Sequence, residues 1–266
     1  LVVTTATKTG FYADPVIYDI LHHAGTADEA RVIEGIAREA GGRRGGSAAL
    51  TFLEPACGTA RHLRALARMG HQGIGFDLSQ TMIDDAAARA ARAGLTGRMT
   101  LFTADMTDFA DRVPQRADAA FNLINTVRHL PTDRAMLAHL DHMARSLQPT
   151  GVYIVGMSVT DYDLEQPSED VWAGARGSCR VTQTVNYVPP EDRAARNETV
   201  ISHMHIVRPS GEEHRDTRYT LRTYTLDELT GLIDRSAMRI DAVSDDLGDE
   251  MDPPTIGYAL FHLRPR

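Results

Sequence analysis

Two acids mark the stretch of this chain where chemistry is most legible. In Thr51-Phe52-Leu53-Glu54-Pro55-Ala56-Cys57-Gly58-Thr59-Ala60-Arg61, an apolar run ends on Glu54 and then turns through small residues towards a helix. A second apolar run, Gly73-Ile74-Gly75-Phe76, ends on Asp77. Carboxylates at the tips of neighbouring parallel strands, flanking a small-residue turn, suit a ligand with an ammonium at one end and a ribose beside it. Ala56, Gly58 and Ala60 let the backbone approach such a ligand closely, and amides at the following helix start can face it. Glu54 would offset the ammonium or hydrogen-bond neighbouring amides, and Asp77 can accept from both ribose hydroxyls. A hydrogen bond to a charged group contributes roughly 1.5–3 kcal/mol. In a third loop, Asp105 can accept from a purine amino group and a backbone amide can donate to a ring nitrogen. Leu78, Met82 and Met106 would sandwich the purine.

Each feature has a plainer reading. A glycine-containing turn after a strand is often only a tight turn, and Glu54 alone could cap a helix. Asp77 alone could hold the ribose of a nicotinamide dinucleotide, but that reading wants Gly-x-Gly-x-x-Gly. Ala56-Cys57-Gly58-Thr59-Ala60-Arg61 does not supply it. Cys57 reads as a small residue filling a turn, since no activating base is evident beside it.

The elements that must position these residues alternate. Thr26, with Glu29 three residues on, reads as a capping box for a helix carrying Val32, Ile33, Ile36, Ala37 and Ala40 at helical spacing. Gly41-Gly42 ends it. The run Gly41 to Ser47 reads as a flexible joint, with Arg43-Arg44 a solvated part of it. From Ala49, strands ending at Glu54 and Asp77 alternate with a helix over about Thr59 to Met69 and one capped by Ser79 that ends at Gly94. Strands Met99 to Phe102 and Ala119 to Ile124 follow, then a helix from Thr132 to Leu147. Pro149-Thr150-Gly151 reads as a turn before the strand Val152 to Met157. Such alternation implies parallel pairing with right-handed crossovers. Ligands of these sheets bind beyond the C-terminal strand ends, where strand order reverses.

The pattern then changes. Cys179 to Tyr187, Glu198 to Val207 and His214 to Tyr224 read as three strands of an antiparallel insert. Thr225 and Glu228 form another capping box, opening a helix to about Ala237. Arg239 to Ser244 and Ile256 to Leu263 read as an antiparallel hairpin at the sheet edge. The expected fold is α/β: a Rossmann-like, seven-stranded, mostly parallel sheet with an antiparallel C-terminal hairpin, plus a small antiparallel β insert. Its expected division is an N-terminal helical cap (1–48), the core (49–160), the insert as a lid over an acceptor pocket (161–224), and a helix and hairpin completing the core sheet (225–266).

The chain has 266 residues, 42% of them hydrophobic, and a formal net charge of −8. That acidic total argues against nucleic acid as a partner, because phosphate-tracking proteins usually carry a basic surface. Two cysteines make no disulfide framework, so a reducing compartment is expected. No run is apolar for long enough to span a bilayer, and Leu1 to Gly10 lacks the apolar core of a secretory leader. A cytoplasmic protein without a membrane partner is expected. His203 and His205 share one strand face, but no third ligand stands out, so no metal is expected. His22-His23 reads as solvated helix surface. Trp172 reads equally as pocket lining or as a buried hinge anchor.

In order and at these spacings, the segments Leu53-Glu54-Pro55-Ala56-Cys57-Gly58-Thr59, Gly75-Phe76-Asp77-Leu78-Ser79-Gln80-Thr81-Met82, Ala104-Asp105-Met106, Asn122-Leu123-Ile124-Asn125 and Leu147-Gln148-Pro149-Thr150-Gly151 resemble the class I S-adenosylmethionine-dependent methyltransferases. The family's first and third glycines are Ala56 and Ala60 here. The resemblance implies S-adenosylmethionine as cofactor and S-adenosylhomocysteine as product. It implies cofactor contacts at Tyr12, Glu54, Ala56, Gly58, Asp77, Leu78, Met82, Asp105, Met106 and Asn122. Phe11-Tyr12 and Tyr18-Asp19 look like the Tyr-Asp segment that closes over the cofactor in small-molecule N-methyltransferases. Similarity to amino-sugar N-methyltransferases implies Tyr18 and His129 as orienting or acid–base residues at the acceptor. The expected reaction is in-line methyl transfer to a nitrogen or oxygen of a small molecule. The alternatives are a protein or RNA methyltransferase on the same core and a non-catalytic S-adenosylmethionine-binding protein. The insert could equally form a homodimer surface, because edge strands seek partners.

Overall fold

The computed structural model describes residues 14–42 and 45–266. Phe11, Tyr12, Arg43 and Arg44 lie outside the described residues. Helices α1 (Pro15–His22) and α2 (Thr26–Ala40) lead into β1 (Thr51–Pro55), α3 (Arg61–Arg68), β2 (Gln72–Asp77) and α4 (Gln80–Arg92). Then come β3 (Met99–Thr103), β4 (Ala117–Asn122), α5 (Asp133–Ser146) and β5 (Leu147–Val159). A four-stranded antiparallel sheet follows, formed in order by β6 (Ser168–Arg176), β7 (Cys179–Val188), β8 (Asn197–Arg208) and β9 (Gly211–Arg222). Helix α6 (Leu226–Asp234) and strands β10 (Met238–Ser244) and β11 (Gly257–Pro265) complete the chain.

The large sheet has seven strands in the order β10-β11-β5-β4-β1-β2-β3. Strands β3, β2, β1, β4 and β5 run parallel, while β11 is antiparallel to both β5 and β10. The strands are apolar on both faces because both are covered. Phe52, Phe121 and Ile154 feed a core layer with Ile33 of α2, Leu63 of α3 and Ile83 of α4. Their neighbours Leu53, Ala120 and Val155 feed the opposite layer with Leu140 of α5 and Leu229 of α6. Gly75 lets α3 pack this closely, since a Cβ there would lie 2.6 Å from Leu63 Cδ1. Strand β1 sits between β2 and β4, so strand order reverses beside it and three strand tips open onto one crevice.

The seven-stranded sheet, its C-terminal hairpin and the separate antiparallel sheet match the expected fold, while four local readings change. Helix α1 had no separate sequence reading, yet Asp14 caps it, accepting from the Val16 and Ile17 amides, and Pro15 occupies its first turn. Thr26 is not a helix cap: Gly25, at φ 77°, holds that position, and the Thr26 hydroxyl donates to the His23 carbonyl. Pro149-Thr150-Gly151 lies within β5 instead of forming a separate turn. The insert has a fourth strand, β6, whose sequence Ser-Glu-Asp-Val-Trp-Ala-Gly-Ala-Arg shows no apolar alternation. It packs on α1 so closely that a Cβ at Gly174 would lie 2.4 Å from the Ile20 carbonyl oxygen. Helix α1 shares a core with the insert through Ile17, Ile20, Val181 and Ile206, whereas α2 packs on the large sheet. Among the described residues no helix is long and apolar enough to cross a membrane.

The turn after β1 is strained. Ala56 and Ala60 take the left-handed region, at φ 49° and 52°, as does Gly58 at φ 52°. Alanine is disfavoured there by the clash of its Cβ with the backbone. Ala56→Gly is therefore expected to raise unfolding stability by roughly 1 kcal/mol, read by urea denaturation. An unchanged or lower midpoint would show that the turn holds no such strain.

Candidate functional site

A cavity of about 630 Å³ opens over the tips of β1, β2 and β4. Its walls come from the turn after β1, the start of α4, helix α1 and the inner face of the insert. Tyr18, Glu54, Ala56, Gly58, Asp77, Leu78, Met82, Met106, Asn122 and His129 all line it. Asp105 does not: its exposed carboxylate accepts from the amide and hydroxyl of Thr107, each at 2.7 Å. The structure therefore does not bring Asp105 to the cavity, because its own loop offers nearer donors. Tyr12 lies outside the described residues.

The acids at the strand tips are differently engaged. Asp77 accepts from the Gly58 amide at 2.9 Å and the Ser79 amide at 2.8 Å, tying the β2 tip to the turn after β1. Burial raises its pKa, although these amides pull the other way. Glu54 is buried and meets His62 Nδ1 at 3.1 Å through Oε1. Its other oxygen, Oε2, is buried with no partner among the described residues. An unsatisfied carboxylate oxygen is costly to bury, so this one is poised for a donor. Behind it, His62 Nε2 lies 2.7 Å from Glu29, which also accepts from Arg61 at 2.6 Å. Glu29 thus serves α3 and not a capping box. Cys57 stays a thiol: burial and then the Glu54 and Asp77 charges push its pKa well up.

A fully buried polar chain joins opposite sides of the cavity. Asn122 donates to the Pro55 carbonyl at 2.6 Å, and His139 Nδ1 lies 2.9 Å from the Met106 carbonyl. Between them, the Tyr153 hydroxyl lies 2.7 Å from both Asn122 Oδ1 and His139 Nε2. Both ends of the chain are carbonyls, so its four links need four protons. Asn122, Tyr153 and a neutral His139 supply three. Burial holds His139 at about 4, hence neutral at pH 7. Charging an imidazole at such a depth costs more than one missed hydrogen bond. Tyr153 therefore has one proton for two acceptors.

The other half of the cavity is neutral and aromatic. Tyr18 and His22, four residues apart, share one face of α1. Their rings are 4.5 Å apart, and His22 meets Trp172 edge-on at 4.9 Å. His22 is therefore a cavity residue, not solvated helix surface, whereas His23 is exposed. His129 stacks on Tyr219 at 5.6 Å. Gln183, Val185, Tyr187 and Leu221 complete the floor. Burial pulls His22 to about 3 and His129 to about 4, so both are neutral at pH 7. Burial raises the Tyr18 pKa well above its ordinary value, keeping the phenol protonated. Trp172 lines the cavity, one of its two sequence readings, whereas the lining residues of β7 and β9 escaped sequence reading. Their only signal was the alternation along β7 and β9, which shows two faces but not which one meets the cavity.

Helix α1 is held over the site by Asp19, which is 1% exposed. Asp19 accepts from Thr59 at 2.9 Å, Arg64 at 3.2 Å, Arg89 at 2.8 Å and Arg176 of β6. Burial would raise its pKa, but the bonds from Arg176 and Thr59 and the charges of Arg89 and Arg64 outweigh it and hold the carboxyl at about 2.

Residues 52–151 match the family model of a methyltransferase domain. Two curated relatives are sugar N,N-dimethyltransferases. One, from Streptomyces venezuelae, acts by its name on dTDP-3-amino-3,4,6-trideoxy-alpha-D-glucopyranose and is 28% identical over 153 residues, 56% of this chain and 60% of that protein. The other, from Streptomyces fradiae, acts by its name on dTDP-3-amino-3,6-dideoxy-alpha-D-glucopyranose and is 31% identical over 139 residues, 52% of this chain and 51% of that protein. The matches thus span between half and two thirds of the relatives' lengths. The crystal structure of the sugar N-methyltransferase KedS8 from Streptoalloteichus shares the fold, with a TM-score of 0.73 at 18% identity, covering 100% of this chain and 98% of the other. The fold is that of a Rossmann-like α/β sheet, and the methyltransferase-domain match spans its strand-tip cavity from β1 into the start of β5. Over about half of its length the chain is similar to these sugar N,N-dimethyltransferases.

Two outcomes follow from the buried groups. Tyr153→Phe removes the one donor shared by Asn122 and His139 and is expected to lower stability by about 1–3 kcal/mol, read by urea denaturation at pH 7. Asp19→Ala leaves three arginines without their buried acid and is expected to cost about 3–5 kcal/mol in the same assay. The Asp19 carboxyl sits below its ordinary value in the fold. Its contribution is thus complete above about pH 4 and lost as pH falls through about 2.

Proposed function

We propose that this chain transfers a methyl group from S-adenosylmethionine to the nitrogen of a small-molecule acceptor. The observation that carries this reading is the buried, unpartnered Glu54 Oε2 at the cavity wall, beside the Asp77 strand tip. The residues fit the cofactor. Glu54 would take its ammonium, Asp77 has lone pairs left for the ribose hydroxyls, and Leu78, Met82 and Met106 offer apolar walls to the purine. Bound there, S-adenosylmethionine supplies a methyl on a cationic sulfur with a good leaving group. The chain's part is then mainly alignment, which can remove about 7–11 kcal/mol of a barrier.

The acceptor half favours nitrogen over oxygen. Among the described lining residues, the only carboxylates, Glu54 and Asp77, lie at the strand tips, so no acid holds an incoming amine in its protonated, unreactive form. Burial among Tyr18, His22, Trp172 and Tyr187 disfavours the ammonium charge and so favours the nucleophilic neutral amine. A hydroxyl would want a strong base, and His129, held at about 4, is a poor one at pH 7. His129 and Tyr18 therefore orient the amine through their polar atoms. An amino sugar, as named for the relatives, is the proposed acceptor class. The reading includes a cytoplasmic setting, supported by two free cysteines. It also includes a homodimer formed through β6 or β9, the edge strands of the insert sheet.

Titration calorimetry with S-adenosylmethionine is expected to show one site of micromolar affinity. Glu54→Gln and Asp77→Ala should each weaken binding on the order of tenfold or more. Binding that survives both changes would overturn the site. Tyr18→Phe should lower kcat for an amino-sugar acceptor while leaving cofactor affinity unchanged.

A further inference from the structure

The outer face of the insert sheet carries a cluster that methyl transfer does not use. His205 of β8 and His214 of β9 are direct cross-strand partners. Their rings stack with centroids 4.5 Å apart and planes 2° from parallel. Glu212, two residues before His214 and so on the same face, reaches within 3.1 Å of His205 Nε2. One donor atom from each of the three residues lies within 4.8 Å of the others. The sequence showed His203 and His205 on one face without a third ligand. Antiparallel register supplies ligands from the facing strand instead, and His203 pairs with Asp216 at 2.9 Å.

We propose that His205, Glu212 and His214 form a binding site for a divalent transition ion of the zinc type. Two imidazole nitrogens and one carboxylate oxygen are a donor set that zinc accepts, with water as the fourth ligand. Zinc bonds of about 2.0–2.2 Å require donors about 3.3–3.5 Å apart. The side chains reach that spacing by closing roughly 1 Å through rotation of exposed groups. Strand alternation sets this face opposite the one bearing Tyr219 and Leu221, which line the cavity. The ion would therefore clip the β8–β9 hairpin from behind without touching the cavity. The inference stands whether or not the chain transfers methyl groups.

The test is titration of the metal-free full chain with Zn²⁺, followed by competition with a chromophoric chelator. One equivalent is expected to bind with micromolar affinity and to raise the melting temperature. His205→Ala and His214→Ala should each weaken that binding on the order of tenfold or more and abolish the melting shift, with the circular dichroism spectrum unchanged. His203→Ala should leave both readouts unaltered. No saturable uptake by the unmodified chain would overturn the proposal, as would uptake of equal affinity in His214→Ala.

Discussion

One buried carboxylate holds the two halves of this protein together. Asp19 lies on a helix that packs with the insert, yet it receives a hydroxyl from the turn after β1 and guanidinium groups from α3, α4 and β6. A carboxylate at that depth is tolerable only because several charged donors surround it. The same contacts decide where α1 lies, and with it where Tyr18 and His22 stand. Helix α1 so placed adds Tyr18 and His22 to the cavity wall beside the inner face of the insert.

The cavity so formed is electrostatically divided. Its strand-tip side holds two carboxylates, one accepting from two backbone amides with acceptor capacity to spare and the other with an oxygen unpartnered among the described residues. Its insert side holds aromatic rings, neutral imidazoles and a glutamine. A ligand carrying positive charge at one end and an uncharged nucleophile meeting it from the other side suit that division. The buried chain through Asn122, Tyr153 and His139 links the β1 and β4 tips to the loop carrying Met106.

Much of the core was readable because its signals are local. Apolar runs ending on Glu54 and Asp77, the Ser79 cap and the Thr225–Glu228 capping box each lie within a few residues and are realised in the structure. The failures are also instructive. Thr26 and Glu29 have the spacing of a capping box, but α3 presents Arg61 and His62 to them, and the longer-range partners win. Strand β6 was invisible because it is mostly exposed and has no apolar alternation; only Trp172 and Gly174 are half-buried, on the side that packs against α1. Asp105 has the right type and place in the chain, yet its loop closes on Thr107 first.

The amino-acid sequence by itself determined the strand and helix order, the small-residue turn, and the acids at two strand tips, because periodicity and turn chemistry act over short windows. Tertiary structure alone decided which acid keeps an unpartnered oxygen, which face of the insert meets the cavity, and that α1 belongs with that insert. Those outcomes depend on contacts such as Arg176 with Asp19, which are 157 residues apart in the chain. No local pattern encodes such pairs, since they form only when separately stable elements compete to satisfy the same buried groups.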